Sequence, residues 1–242
     1  MRKTVMVVML AALALSSLVH ADVYMKKNQH TDAMKMMGMT TPAKDETVVT
    51  WVAEGKMSTD SPESIVIVRM DKDVMYNVMK KEKKYMEIPL SKMMDAVTDP
   101  KMAEAMKGLA GQMKITVTET SETRTINGWK CRKYLQVMEM PMMGPVTSEV
   151  WASPDIKIDY EMYFKAAAAA YSRMPGMSGS LADIVKEMQK IKGMPVLTTT
   201  TMKMMGAEMK SSEELVEVKE DKAPASVFEV PAGYKKVNMG NE

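Results

Sequence analysis

Short runs of β-branched, aromatic and other apolar residues, closely spaced between polar breaks, occupy residues 47–52, 64–70, 74–78 and 84–88. These short runs, rich in Val, Ile, Thr, Tyr and Trp, predict an antiparallel meander. Asp71, Lys72 and Asp73 supply a turn, and the cluster Lys80-Lys81-Glu82-Lys83-Lys84 reads as a hairpin tip. The period then changes. Asp99 and Pro100 form a helix start, a capping side chain followed by proline at the first helical position, and Met102, Ala105, Met106 and Leu109 recur at intervals of three and four.

Period two appears over residues 113–118, strands follow at 129–140 and 147–152, and Asn127 and Gly128 are placed for a tight hairpin because both tolerate positive φ. A second helical face carries Tyr160, Phe164, Ala167 and Tyr171. A third follows a Ser180 cap, with Leu181, Ile184, Val185, Met188 and Ile191 forming the cleanest apolar stripe in the chain before Gly193 stops it. The remainder is extended, over residues 195–202 and 214–219 and in a tail at 227–236. Strands, helix, strands, two helices and strands predict one α+β domain: a strongly curved antiparallel sheet, an incomplete barrel, with about three amphipathic helices covering its open face.

The first residues stand apart. Arg2 and Lys3 precede an uncharged stretch from Thr4 to Val19 with an apolar core over residues 5–15, and Val19 and Ala21 occupy the −3 and −1 positions of a cleavage site. This is the pattern of a secretory signal peptide, residues 1–21, cleaved after Ala21. The run is shorter than the roughly 20 residues that span a bilayer. The expected product is a periplasmic domain of residues 22–242 that does not span the membrane.

Charge then excludes one class of partner. The 33 basic residues fall to 31 when Arg2 and Lys3 leave, equal to the 31 acidic ones. A neutral chain without a long basic run gains little from counterion release, so nucleic acid is not an expected partner.

Candidate chemistry is sparse. Cys131, the single cysteine, alternates with Trp129 and Lys133 as a strand residue would and reads as a buried, inert thiol. Only His30 remains once the leader is removed; Asp32 lies beside it, but two ligands do not make a zinc site. The sequence contains neither a GxSxG elbow, a P-loop nor a dinucleotide-binding glycine fingerprint. No catalytic residue, metal site or cofactor is assigned, and the chain is expected not to be an enzyme.

Methionine is the anomaly, with 32 residues against two phenylalanines. A flexible, polarisable side chain suits a core or an adaptable apolar cavity. Thioethers also select Cu(I) or Ag(I). The runs at 34–39, 138–143 and 202–209 could present several sulfurs to one ion, with His30 joining the first, although alternation along a strand would divide neighbours between two faces.

A family resemblance adds to this reading. His30-Thr-Asp-Ala33, Pro42-Ala-Lys44 before Thr50-Trp51, Tyr85-Met-Glu-Ile88, Ile126-Asn-Gly-Trp-Lys-Cys-Arg-Lys-Tyr134, Val150-Trp-Ala-Ser153 and Phe228-Glu-Val-Pro-Ala-Gly-Tyr234 together resemble the bacterial exported domain-of-unknown-function family 4412. The resemblance covers most of the chain beyond the leader. It implies kinship with the LolA-like and LppX-like carriers, whose fold is a curved, incomplete barrel closed by helices, and hence an envelope protein with an apolar concavity. It brings no catalytic motif.

The leading expectation is therefore a non-enzymatic periplasmic carrier that buries a lipid, acyl chain or lipoprotein between sheet and helices. Its lining would come from Met102, Met106, Leu109, Ile184, Val185 and Met188. Two alternatives stand beside it: a methionine-rich Cu(I)- or Ag(I)-binding envelope protein, and a structural or sensor module that docks another envelope protein through an exposed apolar patch.

Overall fold

The computed structural model describes residues 21–36, 39–91, 114–140, 144–157, 184–204 and 207–238. Fourteen strands follow in chain order: β1 (Asp22–Thr31), β2 (Met34–Met36), β3 (Met39–Thr41), β4 (Lys44–Ala53), β5 (Lys56–Asp60), β6 (Ser64–Arg69), β7 (Val74–Met79), β8 (Lys84–Pro89), β9 (Lys114–Ile126), β10 (Trp129–Met140), β11 (Gly144–Ser153), β12 (Met194–Met204), β13 (Ala207–Asp221) and β14 (Lys235–Val237). Twelve of them form one sheet in the order β14-β8-β7-β6-β5-β4-β1-β13-β12-β11-β10-β9, and β2 pairs with β3 alone.

Two meanders make up the large sheet, β4 to β8 and β9 to β13, and β1 joins them by pairing with both β4 and β13. Every contact in it is antiparallel except β14 with β8, which is parallel. Most meander steps are short hairpins, because local pairing closes small loops at low entropic cost, whereas β11 and β12 pair across the long connection from Ser153 to Met194. Asn127 and Gly128 both have positive φ, 49° and 85°, and bring Trp129 opposite Ile126. This is the primed turn expected of the Asn-Gly pair. The lysine cluster is a hairpin tip as well, with Lys83 donating its backbone N–H to the Lys80 carbonyl between β7 and β8.

The expected incomplete barrel does not form. The terminal strands β14 and β9 do not pair with each other, so the sheet is open, and it is mixed rather than wholly antiparallel. At the β9 edge the Val117 N–H is taken by the Glu187 carboxylate at 2.8 Å, and an irregularity between Arg132 and Tyr134 disrupts the β9–β10 ladder. The Glu187 side chain thus occupies a backbone donor that a closing strand on the free edge of β9 would have to use.

The helical complement also differs. Among the described residues there is one α-helix, α1, at 184–188. Val185 O accepts from Gln189 N at 2.9 Å in α fashion, but the next bonds run from Lys190 to Glu187 and from Ile191 to Met188, so the helix tightens and ends. Of the stripe through Ile191, the described part supplies little more than one helical turn, and Leu181 lies outside the described residues. The two other helices, built on Met102, Met106 and Leu109 and on Tyr160, Phe164 and Tyr171, fall outside the described residues.

The core lies in several clusters. Val23, Met25, Val52, Met194 and Leu215 bury together where β1 joins its neighbours, and Met25 and Met194 are 1% and 2% exposed. These methionines act as core material. On the β4–β8 half, Ile67 and Val78 are covered by Ala223 and Phe228 of the C-terminal segment. Arg69 fastens that segment, donating to Phe228 O at 3.2 Å and to Glu229 Oε1 at 2.5 Å, while Asp71 takes two further bonds at 2.8 and 2.7 Å. A third cluster gathers Val117, Tyr134, Val150 and Ala152 beneath Ile191. There the Tyr134 hydroxyl accepts from Lys192 N at 3.2 Å.

Candidate functional site: a hydroxyl-lined groove

Strand register builds the site. Directly opposed residues on neighbouring strands share a face of the sheet. Thr31 of β1 faces Ser211 of β13, Ser211 faces Thr200 of β12, and Thr200 faces Ser148 of β11. Four hydroxyl residues from four strands thus form one transverse row. The next row on that face runs Gln29, Glu213, Thr198 and Val150. Between them lies a groove of about 340 Å³ lined by Gln29, His30, Thr31, Thr198, Thr200, Ser211, Ser212 and Glu213.

The polar groups are positioned by each other. Ser148 Oγ and Thr200 Oγ1 are 2.9 Å apart. Glu213 is held on both carboxylate oxygens: Lys27 Nζ donates to Oε1 at 2.6 Å, and Gln29 Nε2 donates to Oε2 at 2.8 Å. Its negative charge is already matched by Lys27, so the groove presents hydroxyls and a neutralised carboxylate rather than a free charge. Each hydroxyl can both donate and accept. That chemistry suits a neutral, hydrogen-bonding guest.

His30 stands at the rim. Its Nδ1 is 2.7 Å from Asp45 Oδ1, and its Nε2 is 2.9 Å from Asp32 Oδ1. Hydrogen bonding first to Asp45 and then to Asp32 raises its pKa above the ordinary 6.5. The sequence had pointed to His30 with Asp32; Asp45 joins because β4 runs antiparallel to β1 and sets it opposite His30.

A second depression, of about 600 Å³, is lined by Thr123, Arg124, Thr125, Lys130, Cys131, Arg132, Pro154 and Asp155. Its cations are partly engaged. Arg132 pairs with Glu119, and Arg124 lies 4.2 Å from the Trp151 ring centre. Cys131 is buried among Trp151 and Val196, and burial pushes its thiol pKa up, as expected of an inert thiol.

The carrier reading is overturned. Met102, Met106 and Leu109 lie outside the described residues, and Ile184, Val185 and Met188 sit half-buried on the short α1, where none of them lines the groove. No helical lid spans the sheet among the described residues, and the groove there is hydroxylic, not apolar. The soft-metal reading is overturned too. No group of three or more His, Cys, Asp or Glu converges among the described residues, and Met138 and Met202 are separated by the intervening Val146 of β11. The docking alternative required a broad apolar patch, yet Val216 is the one exposed large hydrophobic residue among those described. No helix among them is long and apolar enough to cross a membrane.

Sequence reasoning missed Gln29, Thr31, Thr198, Thr200, Ser211 and Glu213. The consecutive hydroxyl residues Thr198 to Thr201 in β12 and Ser211-Ser212 in β13 were a signal that these strands carry polar positions. Which strands would lie side by side was not readable from it.

No curated protein matches the chain. Among solved structures it is similar to a DUF1329 family protein from Desulfovibrio piger, at 7% identity and a TM-score of 0.33. It is also similar to LprF from Mycobacterium bovis, at 10% identity and a TM-score of 0.29. Each likeness covers 87% of this chain and 90% of the other. At such scores they carry no argument about a shared fold or role, and the link to lipoprotein carriers draws no support from them. A family model described as Domain of unknown function (DUF4412) matches residues 52–234, from β4 through the C-terminal segment, and the chain belongs to that family.

Proposed function

We propose that the chain is an exported, non-catalytic binding module of the periplasm that holds a neutral, hydroxyl-rich small molecule, a sugar or polyol, in the groove between β1, β13 and β12. The signal-peptide pattern of the first 21 residues supports the location. The observation that carries the binding reading is the row Thr31, Ser211 and Thr200, with buried Ser148 bonded behind Thr200, beside a Glu213 carboxylate fixed by Lys27 and Gln29.

Magnitudes bound the affinity. The groove's 340 Å³ is near the lower end of small-molecule sites, about 300–1,000 Å³. It offers a handful of hydrogen bonds at about 1 kcal/mol net each, so a total near 4 kcal/mol, or a Kd of about 1 mM, is expected. Saturation-transfer NMR of the purified chain against glucose, glycerol and an acyl-chain control such as octanoate tests this. Saturation of the sugar or polyol, weakened in Thr200→Val and Glu213→Gln, supports the reading. Saturation of octanoate alone, or no saturation of any probe, overturns it.

A further inference from the structure

β2 and β3 form an excursion from the main sheet: the chain leaves β1 at Thr31, makes a separate two-stranded pair, and returns at Lys44 to start β4. His30 lies at the neck of that excursion. Asp32 is on its outgoing side, and Asp45 lies in β4 directly opposite His30, next to the Thr31–Lys44 pair that ends the β1–β4 ladder, so the imidazole ties the outgoing stem to the returning strand. The outgoing stem is also anchored to β13, where Asp32 N donates to Lys210 O at 2.9 Å.

Both ring nitrogens face carboxylate oxygens. An imidazolium donates from both nitrogens, whereas a neutral imidazole has one donor and one acceptor. In the neutral form one nitrogen's lone pair would face a carboxylate oxygen. That contact becomes repulsive, and one of the two ties is lost.

We infer that His30 is a proton-controlled latch, which as an imidazolium clamps the neck of the β2–β3 excursion through Asp32 and Asp45 and on deprotonation releases one stem. The other charged groups on this side of the sheet are engaged elsewhere. From β13 these are Lys210, paired with Glu208 at 3.2 Å, and Glu214, which accepts from Asn127 at 2.9 Å. From β12 the residues opposite that part of β13 are Thr199 and Thr201, which carry no charge. From β4 the residue opposite His30 is Asp45 itself. Asp32 and Asp45 are thus the groups that decide its protonation.

The direction of the pH response follows. The native pKa lies above the unfolded value near 6.5, so the clamp is fully present below 6.5 and is lost as pH rises through the native value. The device is independent of what the groove binds.

The experiment follows the His30 imidazole by NMR titration in the full chain, with His20→Gln separating the two histidine signals, and measures hydrogen exchange of the β2 and β3 amides at each pH after correction for intrinsic rates. Expected are an inflection above 6.5, several-fold faster exchange of β2 and β3 above it, and a larger downward shift of the inflection in Asp45→Asn than in Asp32→Asn. His30→Gln should make β2–β3 exchange independent of pH. An inflection at or below 6.5, or β2–β3 protection that stays constant while His30 titrates, would overturn the proposal.

Discussion

Gln29 and Glu213 stand 184 residues apart in the chain and 2.8 Å apart in the fold, the amide nitrogen of one donating to Oε2 of the other. The contact exists because β1 inserts between β4 and β13. It joins the two meanders and at the same time fixes the one carboxylate of the candidate groove. Lys27 completes the clamp with a side chain 17% exposed, against 39% for Glu213.

Glu213→Ala removes the partner of a mostly covered lysine. The pair is partly solvated, so the cost lies near that of a good surface ion pair, about 1 kcal/mol. Urea denaturation of Glu213→Ala, Lys27→Ala and the double variant measures the coupling. A coupling energy of zero would remove the clamp from this account.

Among the described glycines, Gly193 is the least replaceable. Its φ is +96°, and a Cβ placed there would sit 2.2 Å from the Ser153 carbonyl oxygen, which is backbone and cannot swing away. Gly128 has a comparable φ of +85° but open space around it. Gly193→Ala is expected to cost at least about 3 kcal/mol, from strain plus backbone displacement, and Gly128→Ala about 1–2 kcal/mol, from conformation alone. Denaturation midpoints of the two variants compare them directly; equal losses would contradict the close approach.

Arg69 is 6% exposed, and its bonds to Phe228 O and Glu229 hold the C-terminal segment over Ile67 and Val78. Arg69→Met leaves Asp71 and Glu229 where water reaches them, so the loss falls on the fastening, about 2 kcal/mol. Hydrogen exchange should quicken first at residues 223–234. Acid acts on the same tie. The guanidinium holds Asp71 down to about 2 from its ordinary 3.8 and lowers Glu229 as well. Their stabilisation is complete above the ordinary carboxylate values and is lost as pH falls through the depressed ones. The stability profile on the acid side should be flatter in Arg69→Met than in the unaltered chain.

Cys131 is 2% exposed, with its thiol pKa raised by burial. A disulfide reagent should therefore modify the folded chain only through opening, and the rate should rise steeply with added urea. Fast modification in the absence of denaturant would place the thiol outside the core. Cys131→Ala removes one sulfur from a tight site and should cost about 1 kcal/mol, read from thermal or urea unfolding.

Much of the local structure was legible without coordinates. Strands β4, β6, β7, β8, β10 and β11, the Asn127-Gly128 turn, the lysine-rich tip at 80–83 and the burial of Cys131 follow from side-chain period and from residues that tolerate positive φ. These depend on neighbours in sequence. What the chain's pattern alone did not contain was which strands would meet. β1 escaped notice because Lys27, Asn28, Gln29 and His30 break the apolar alternation begun by Val23 and Met25; their polarity is satisfied largely across the sheet, by Glu213, Thr47 and Asp45. The groove is the same case, since four hydroxyls on four strands become one row only when long-range register aligns them. The stripe through Ile184, Val185 and Met188 failed in the opposite direction. Its period favoured a helix through Ile191, but the tightening after Gln189 and the close seat of Gly193 against Ser153 ended the described helix before Ile191. Local propensity determined which segments extend or turn; the tertiary pairing of β1 decided the site, because register is an agreement between distant segments that neither one encodes by itself.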